Sequence, residues 1–180
     1  MDKKVLSLSQ IIERRREKLR LRRGYVQLAF RLLLLAAVVW LLMTQVFLLT
    51  QVKGNAMFPA LKDGDLVFAF RLQSEYRQDD VVIYENNGET QVGRVIAKEG
   101  DVVTLDDSGT LTVNGTVQDG EIVYPTYAKE GLDYPLRVPE GTMFLLGDYR
   151  TQAKDSRDFG PVPLSEVEGK VITILRRRGI

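Results

Sequence analysis

The stretch that sets the architecture of this chain is Val52-Lys53-Gly54-Asn55-Ala56-Met57-Phe58-Pro59-Ala60-Leu61-Lys62-Asp63-Gly64-Asp65-Leu66-Val67. A membrane-length apolar run precedes it, and short runs of β-forming residues follow it. The proline and the Asp-Gly pair within the stretch are typical of turns. The sequence therefore predicts an apolar helix before residue 52 and a β-rich body after it.

The apolar run covers about residues 32–49 and is interrupted only by Thr44 and Gln45. About 20 apolar residues cross a bilayer as a helix, and the run reaches that length when Tyr25 is taken as its start. We predict a transmembrane helix over residues 25–50. A cleaved signal peptide is the alternative, although the apolar core is long for one and no small-x-small cleavage site follows it.

Charge is divided unevenly along the chain, although its formal net value is only +1. Residues 1–31 hold ten Lys or Arg and three Asp or Glu, whereas the other 149 residues hold fifteen and twenty-one. Positive charge collects on the cytoplasmic side of a span. We therefore expect a single-pass protein of the cell membrane, with residues 1–24 cytoplasmic and residues 51–180 extracytoplasmic. The basic segment is then a solvated arm or contacts membrane lipid, and nucleic acid is not an expected partner.

After the predicted span the sequence consists of short β-type runs separated by turn residues. The runs are residues 66–70, 80–84, 91–97, 101–105, 110–113, 142–146 and 170–174. Pairs such as Asn87-Gly88 and Asn114-Gly115 suit tight hairpin turns. Many short strands without a long amphipathic helix predict a mostly β, antiparallel, barrel-like domain.

Composition excludes several kinds of active site. The chain contains no cysteine and no histidine. Disulfides, thiol nucleophiles, Ser-His-Asp and Cys-His arrangements and the usual zinc ligands are therefore excluded. No metal or nucleotide motif is present in the sequence, so no metal and no cofactor is expected. A hydrolase built on this sequence would need a base other than histidine.

Three motifs carry a resemblance to a known family. They are Val52-x-Gly54-x-x-Met57-x-Pro59-x-Leu61, Arg94-Val95-Ile96-x-x-x-Gly100-Asp101 and Gly147-Asp148-x-Arg150-x-x-x-x-Asp155-Ser156-Arg157. In this order and spacing the chain resembles the type I signal peptidases, the bacterial membrane proteases that remove signal peptides from secreted proteins. The resemblance implies a signal-peptidase-like β domain, with a Ser/Lys dyad, against the outer face of the membrane.

In such a dyad the serine oxygen attacks the peptide carbonyl, and a lysine held neutral by burial acts as general base. The resemblance puts the nucleophile directly before Met57, where this chain has Ala56. It puts the base directly before Arg94, where this chain has Gly93. The serine that orients the lysine corresponds to Ala153. No catalytic residue of the dyad is therefore intact.

The motif residues that remain are predicted to bind a peptide and to support the fold. The resemblance implies that an extended peptide binds beside Gly54, Met57 and Pro59 through backbone hydrogen bonds, which need no dyad. A groove of this kind, or alternatively an ordinary β core, would take the side chains of Leu66, Phe68, Ile83, Val95 and Phe144. The structural motif comprises Gly147, Asp148, Asp155, Ser156 and Arg157. Within it, Asp155 and Arg157 are predicted to form an ion pair that holds the loop near the cleft.

Other residues could replace the missing dyad only from new positions. Ser156 and Ser74 are the candidate hydroxyls. Lys98 lies five positions beyond Gly93, and this odd spacing predicts that its side chain points to the opposite face of the strand. Lys53 and Lys62 flank the nucleophile position and are interpreted as solvated surface charges.

Two functions follow from this pattern. In the first, the chain is a catalytically degenerate signal-peptidase-like membrane protein, a pseudoenzyme that serves as a chaperone or assembly factor for exported proteins. This hypothesis rests on similarity to dyad-lacking proteins of Gram-positive pilus gene clusters, and it makes pilin and sortase the expected partners. In the second, the chain is an active type I signal peptidase, a serine endopeptidase whose nucleophile is relocated or has been replaced by an engineered Ala56.

Overall fold

The computed structural model describes residues 8–118, 122 and 124–176. The chain divides into two compact units, one that ends at Thr44 and one that begins at Gln45. The first seven residues of the predicted cytoplasmic segment lie outside the described residues.

The first unit consists of helix α1, and the helix itself extends over Leu8–Val46. Its segment Lys18–Val46 is long and apolar enough to cross a membrane. The apolar side chains of this segment, such as Trp40 at 70% exposure, are open to the surroundings, as suits lipid contact. The helix ends before residue 50, where we predicted the end of the span, because the next residues pair with a strand.

The second unit is a β body. Its strands are β1 Phe47–Gln51, β2 Leu66–Phe70, β3 Val81–Asn86, β4 Glu89–Lys98, β5 Val102–Leu105, β6 Leu111–Val113, β7 Thr116–Val117, β8 Leu136–Arg137, β9 Thr142–Leu146, β10 Val162–Pro163 and β11 Val167–Leu175. A short helix α2, Ser156–Phe159, and a 3-10 turn, Leu164–Glu166, lie between β9 and β11. Each run predicted as a strand forms one.

The strands build two antiparallel sheets, which confirms the predicted fold class. The larger sheet has seven strands in the order β1-β2-β11-β3-β4-β9-β10, and the smaller has four in the order β7-β6-β5-β8. Strand β1 pairs with β2 along its whole length, from Phe47 opposite Phe70 to Gln51 opposite Leu66. The body therefore begins within the apolar run, before residue 51.

The core of the body has three clusters of buried side chains, because successive side chains of a strand point to opposite faces. The inter-sheet cluster contains Ile96, Phe144 and Leu146 of the larger sheet with Val103, Leu111 and Val113 of the smaller one. The Tyr84 cluster contains Tyr76, Val82, Tyr84, Val95, Met143, Leu145 and Val162. The Met57 cluster contains Val52, Met57, Leu61, Val67, Ala69 and Ile83. Of the groove candidates, Ile83, Val95 and Phe144 are fully buried and belong to this core.

A β-bulge in β4 corrects one prediction. The pairing with β9 shifts between Val95 and Ala97, so that Lys98 stands opposite Met143. Directly opposed residues of antiparallel strands share a face of the sheet. Lys98 is therefore on the same face as Val95 and Gly93, and the prediction that it points the other way is wrong because the extra residue of a bulge inverts the alternation.

Candidate functional site

A cleft of about 390 Å³ lies in the β body between two segments. One wall is formed by residues 50–53 with Ala56 and Met57, and the other by residues 88–92, where β3 turns into β4. Lys154 contributes a further side chain. The first segment follows edge strand β1 and the second is a hairpin end, so the two walls come from distant parts of the sequence.

Ala56 and Ala153 meet at Gly147. The Ala56 carbonyl accepts a hydrogen bond from the Tyr149 backbone N–H at 2.9 Å. A β-carbon built on Gly147 would lie 2.6 Å from that carbonyl oxygen and 2.4 Å from the Ala153 Cβ. Only glycine fits at residue 147 without displacing a neighbour. The structure thus brings the nucleophile and base-orienting positions against the same backbone.

Gly93 lies close by, in the buried part of β4. Its neighbour Arg94 pairs with Leu146, the residue before Gly147. A β-carbon built on Gly93 would lie 3.1 Å from Cε1 of Tyr84 and 3.4 Å from Cβ of Leu145. The start of any side chain at position 93 therefore meets the ring of Tyr84, and the volume next to the base position is already filled.

Tyr84 is held in this place by burial and by one hydrogen bond. Its side chain is 1% exposed, and its hydroxyl donates to Oε1 of Gln91 at 3.0 Å. Burial raises the pKa of Tyr84, and the negative charges of Asp155 and Asp158 raise it further. The phenol therefore stays protonated as a donor at neutral pH, while Gln91 lines the cleft.

The predicted peptide-binding residues are placed differently from one another. Met57 lines the cleft and also belongs to the buried core. Gly54 and Pro59 are not among the described residues that line it. The Gly54 N–H instead donates to Oδ1 of Asp63 at 2.7 Å, which closes the loop behind the cleft wall.

The predicted ion pair between Asp155 and Arg157 is present and deeply buried. The guanidinium binds the carboxylate through two nitrogens at 2.8 and 2.9 Å, and each side chain is 2% exposed. Arg157 also donates to the backbone carbonyl of Arg150 at 2.6 Å, and Asp155 accepts from the Gly147 N–H at 3.1 Å. The pair therefore ties the loop directly to the residue between the two emptied positions.

A second ion pair escaped the sequence analysis. Arg94, directly after Gly93, donates to both carboxylate oxygens of Asp148 at 2.7 and 2.8 Å. Asp148 is 1% exposed on its side chain. Strand β4 is thereby fastened to the loop that follows β9. The only sequence signal was that each residue lies beside an expected site residue.

Arg150 is, after Arg157, the second buried cation of this loop. It donates from Nη1 to the Thr126 hydroxyl at 2.9 Å. Burial lowers the pKa of Arg150 to about 10, although the Asp148 charge acts in the opposite direction. The guanidinium is still protonated at neutral pH.

The structure places the candidates for a relocated dyad at separate points of the β body. Ser156 is completely buried, and its Oγ accepts a hydrogen bond from the Leu145 N–H at 3.0 Å. Ser74 is exposed and lines a separate cleft of about 290 Å³ that also contains Lys98. Lys53 and Lys154 line the first cleft, and both are exposed.

Metal chemistry finds no support in the part of the chain that the structure describes. No group of three or more Asp and Glu side chains there is arranged so that it could hold a metal ion. The described lining of the cleft offers backbone groups, amides, ammonium groups, the hydroxyls of Thr50 and Thr90 and the carboxylate of Glu89.

Comparison with known proteins identifies the family of this chain. The family model described as "Signal peptidase, peptidase S26" matches residues 24–175. The chain belongs to this signal peptidase family. It is similar to signal peptidase I of Bacillus caldolyticus, with 34% identity over 137 residues that cover 67% of this chain and 74% of that protein. It is also similar to signal peptidase IB of Staphylococcus aureus strain N315, with 31% identity over 140 residues that cover 67% and 73%.

Another relative is the probable thylakoidal processing peptidase 2, chloroplastic, of Arabidopsis thaliana, with 33% identity over 137 residues and 67% of this chain covered. The chain spans only 36% of the length of that protein, and 39% of thylakoidal processing peptidase 1. Among solved structures, a signal peptidase I from Enterococcus faecalis V583 matches with a TM-score of 0.47 and 30% identity, covering 56% of this chain and 98% of that one.

Proposed function

We propose that this chain is a catalytically degenerate signal peptidase relative that binds an extended segment of an exported protein and does not cut it. Family membership supports the peptide cleft, and the residues at the dyad positions argue against chemistry. Strand β4 offers an edge for such a segment: β9 pairs with residues 94–98 only. Residues 89–93 pair with β3 on their other side, and four of these five residues, all but Gly93, line the cleft.

The observation that carries the proposal is the state of position 93. Ala56 alone could be a recent or engineered loss, because serine would add one oxygen to a residue that already lines the cleft. At position 93, in contrast, the Tyr84 ring lies against the glycine. Its Cε1 atom is 3.1 Å from where a β-carbon on Gly93 would stand. A packed core resists added atoms. A lysine at position 93 would therefore require the Tyr84 ring to move.

The setting we propose is pilus assembly in a Gram-positive bacterium, with a pilin as the bound protein and a sortase as the enzyme that uses it. The support is the resemblance to dyad-lacking proteins of pilus gene clusters. Deletion of the gene in its own host is expected to leave pilin monomers in the membrane and to remove high-molecular-weight pilin on immunoblots. Unchanged polymers would exclude the pilus role and leave peptide binding to be tested separately.

Catalytic state is tested with the full chain in detergent and a fluorogenic signal-peptidase substrate. The natural chain is expected to show no cleavage. Ala56→Ser/Gly93→Lys is also expected to stay inactive, because Tyr84 obstructs the new lysine. Adding Tyr84→Val removes the ring, retains a strand-forming residue, and is expected to give measurable turnover.

The matched control is Ala56→Ser/Tyr84→Val. It has the serine hydroxyl and the space left by the Tyr84 ring but no amine, and it should not cleave the substrate. Cleavage by the natural chain would contradict the proposal and support the active peptidase with a relocated nucleophile. The chain should begin no later than residue 45, since a body cut at residue 51 would lose strand β1.

For membrane topology we propose a single span, with the basic N-terminal segment in the cytoplasm and the β body outside. The absence of cysteine allows a direct test. In intact cells a membrane-impermeant maleimide should label Ser108→Cys, which lies on an exposed turn, and should label Ser9→Cys only after lysis. The reverse pattern would invert the proposed orientation.

A further inference from the structure

The charge of the peptide cleft is opposite to that of the body around it. Beyond residue 31 the chain holds fifteen basic and twenty-one acidic residues. The cleft is lined by two basic side chains, Lys53 and Lys154, and by one acidic side chain, Glu89. The other lining residues are uncharged.

Neither cleft lysine has an ion-pair partner among residues 8–118, 122 and 124–176, and the same is true of the exposed Lys62 and Lys98, whereas two half-buried lysines of the body do have one. Lys129 binds Asp158 at 2.6 Å, and Lys170 binds Asp80 at 2.7 Å. The acidic body thus neutralises these lysines and leaves the two in the cleft available. Concave surfaces that carry one sign of charge attract ligands of the other sign.

The two lysines also approach the cleft from different loops. Lys53 directly follows Val52 at the end of the β1 edge, and Lys154 directly follows Ala153. A peptide that adds to the edge of residues 89–93 would thus find ammonium groups from two other segments within the same cleft. Ammonium groups on flexible stems act as point charges and select carboxylates without fixing a single geometry.

We infer that the cleft selects an extended peptide that carries carboxylate side chains, and that Lys53 and Lys154 bind these carboxylates. The inference rests on the proposed function, because it assigns a ligand chemistry to the same cleft. The occupant is a segment of an exported protein, and acidic residues within that segment distinguish it from the neutral Ala-x-Ala sequences that suit a peptidase of this family.

The test compares two fluorescent peptides with the full chain in phosphatidylcholine nanodiscs, by fluorescence anisotropy. Both contain Ala-Gln-Ala, flanked in one by Glu residues and in the other by Gln. The Glu peptide is expected to bind more tightly. Lys53→Gln/Lys154→Gln should weaken it by roughly three- to tenfold, as expected for exposed charge pairs, and should leave the Gln peptide unchanged.

Lys62→Gln is the matched control, because Lys62 is an exposed lysine of the same segment that does not line the cleft. It should not change the affinity of either peptide. The preference for Glu should also shrink as salt is raised from low to physiological concentration, since exposed charges are screened over about 8 Å at 0.15 M.

Three outcomes would overturn the inference in distinguishable ways. Equal binding of the two peptides, unaffected by the double variant, leaves peptide binding intact and removes the charge selectivity. No binding of either peptide overturns the selectivity together with the proposed function. Loss of binding to phosphatidylserine nanodiscs in the double variant, with peptide binding unchanged, would assign the two lysines to lipid headgroups instead.

Discussion

Two regions that meet at Gly147 differ in what they have kept. In the loop over residues 147–160, Asp155 is bound to Arg157 and Asp148 is bound to Arg94, and both carboxylates are buried. The dyad region next to it has alanine or glycine at each of its three positions. The first region thus carries buried ion pairs, whereas the second has no hydroxyl or amine side chain at positions 56, 93 and 153.

The difference follows from what each loss would do to the fold. Removing one partner of a buried ion pair leaves an uncompensated charge and is strongly destabilising. Alanine and glycine at positions 56, 93 and 153 leave no buried charge without a partner, and the Tyr84 ring packs beside Gly93. The loop is retained because it supports the fold, whereas the dyad supports chemistry alone.

The substitution with the largest expected effect tests whether the loop stabilises the β body. Arg157→Ala leaves the buried Asp155 carboxylate without its ion-pair partner. It is expected to lower the free energy of unfolding by about 3–5 kcal/mol. Six of the seven tyrosines lie in the β body, so near-ultraviolet circular dichroism of the full chain in detergent and urea measures the unfolding of that unit.

The control is Lys170→Met, which removes an ion pair whose side chains are 33% and 13% exposed. Pairs near the surface contribute about 0–1 kcal/mol. If the two substitutions destabilised the body equally, the contrast between the buried loop and the rest of the surface would not hold.

Gly147→Ala tests the contact that joins the two regions. The new methyl group would overlap the Ala56 carbonyl and the Ala153 side chain, and overpacking of this kind costs about 1–3 kcal/mol. Adding Ala153→Gly should recover part of the loss, since the overlap with the carbonyl remains. Full recovery in the double variant, measured in the same urea titration, would show that the Ala56 backbone moves freely.

Gly93→Ala tests whether the dyad region is filled. Alanine is usually more stable than glycine inside a strand by about 0.5–1 kcal/mol. Here we expect a loss of about 1 kcal/mol, because the new methyl group meets Tyr84.

A double-mutant cycle with Tyr84→Val isolates the Gly93 contact. In the Tyr84→Val background, Gly93→Ala should be neutral or stabilising. The same loss in both backgrounds would mean that Tyr84 does not fill the base position.

The smallest expected effect concerns the rim of the loop, where Lys129 bonds Asp158 and the Ala153 carbonyl. Burial alone would raise the pKa of Asp158, but the hydrogen bonds from Lys129 and from the Asp155 backbone outweigh it and lower the pKa. A carboxylate with a lowered folded-state pKa stabilises the fold above its unfolded pKa, and this contribution is lost as the pH falls through the folded value.

Lys129→Met should therefore lower the thermal midpoint slightly at pH 7, by less than about 1 kcal/mol in stability terms. The difference from the natural chain should narrow as the pH falls below 3.8, the ordinary pKa of an aspartate. Scanning calorimetry at pH 7 and at pH 3 measures this difference in thermal midpoint. A difference that widens on acidification would contradict the assigned charge interaction.

Local patterns in the sequence were sufficient for much of the fold. Strands β2 and β9 have the predicted bounds, 66–70 and 142–146, because each is a β-forming run between turn residues. Strand β1 was missed because Phe47, Leu48 and Leu49 are as apolar as the span they follow. Apolar character alone does not separate the end of a membrane-length helix from an edge strand.

The site was predictable where a motif places a residue and unpredictable where packing decides. The ion pair of Asp155 with Arg157 lies within one motif, and it was predicted. The Asn87-Gly88 turn fixes the register of β3 with β4, but only side-chain packing decides that the Tyr84 ring lies beside Gly93. The bulge after Val95 likewise depends on the pairing of β4 with β9, so the face of Lys98 could not be obtained by counting residues.

The closeness of Tyr84 to Gly93 also bears on whether catalysis could return by mutation. Glycine and lysine codons differ at both their first and second bases, so the change from Gly93 to lysine passes through at least one other residue at this position. Any such intermediate places a β-carbon 3.1 Å from Cε1 of the buried Tyr84 ring, which must move to admit it. Ala56→Ser requires a single base change and is freely reversible. Under the proposed function, the ring at position 84 therefore makes a catalytic base harder to regain than a nucleophile.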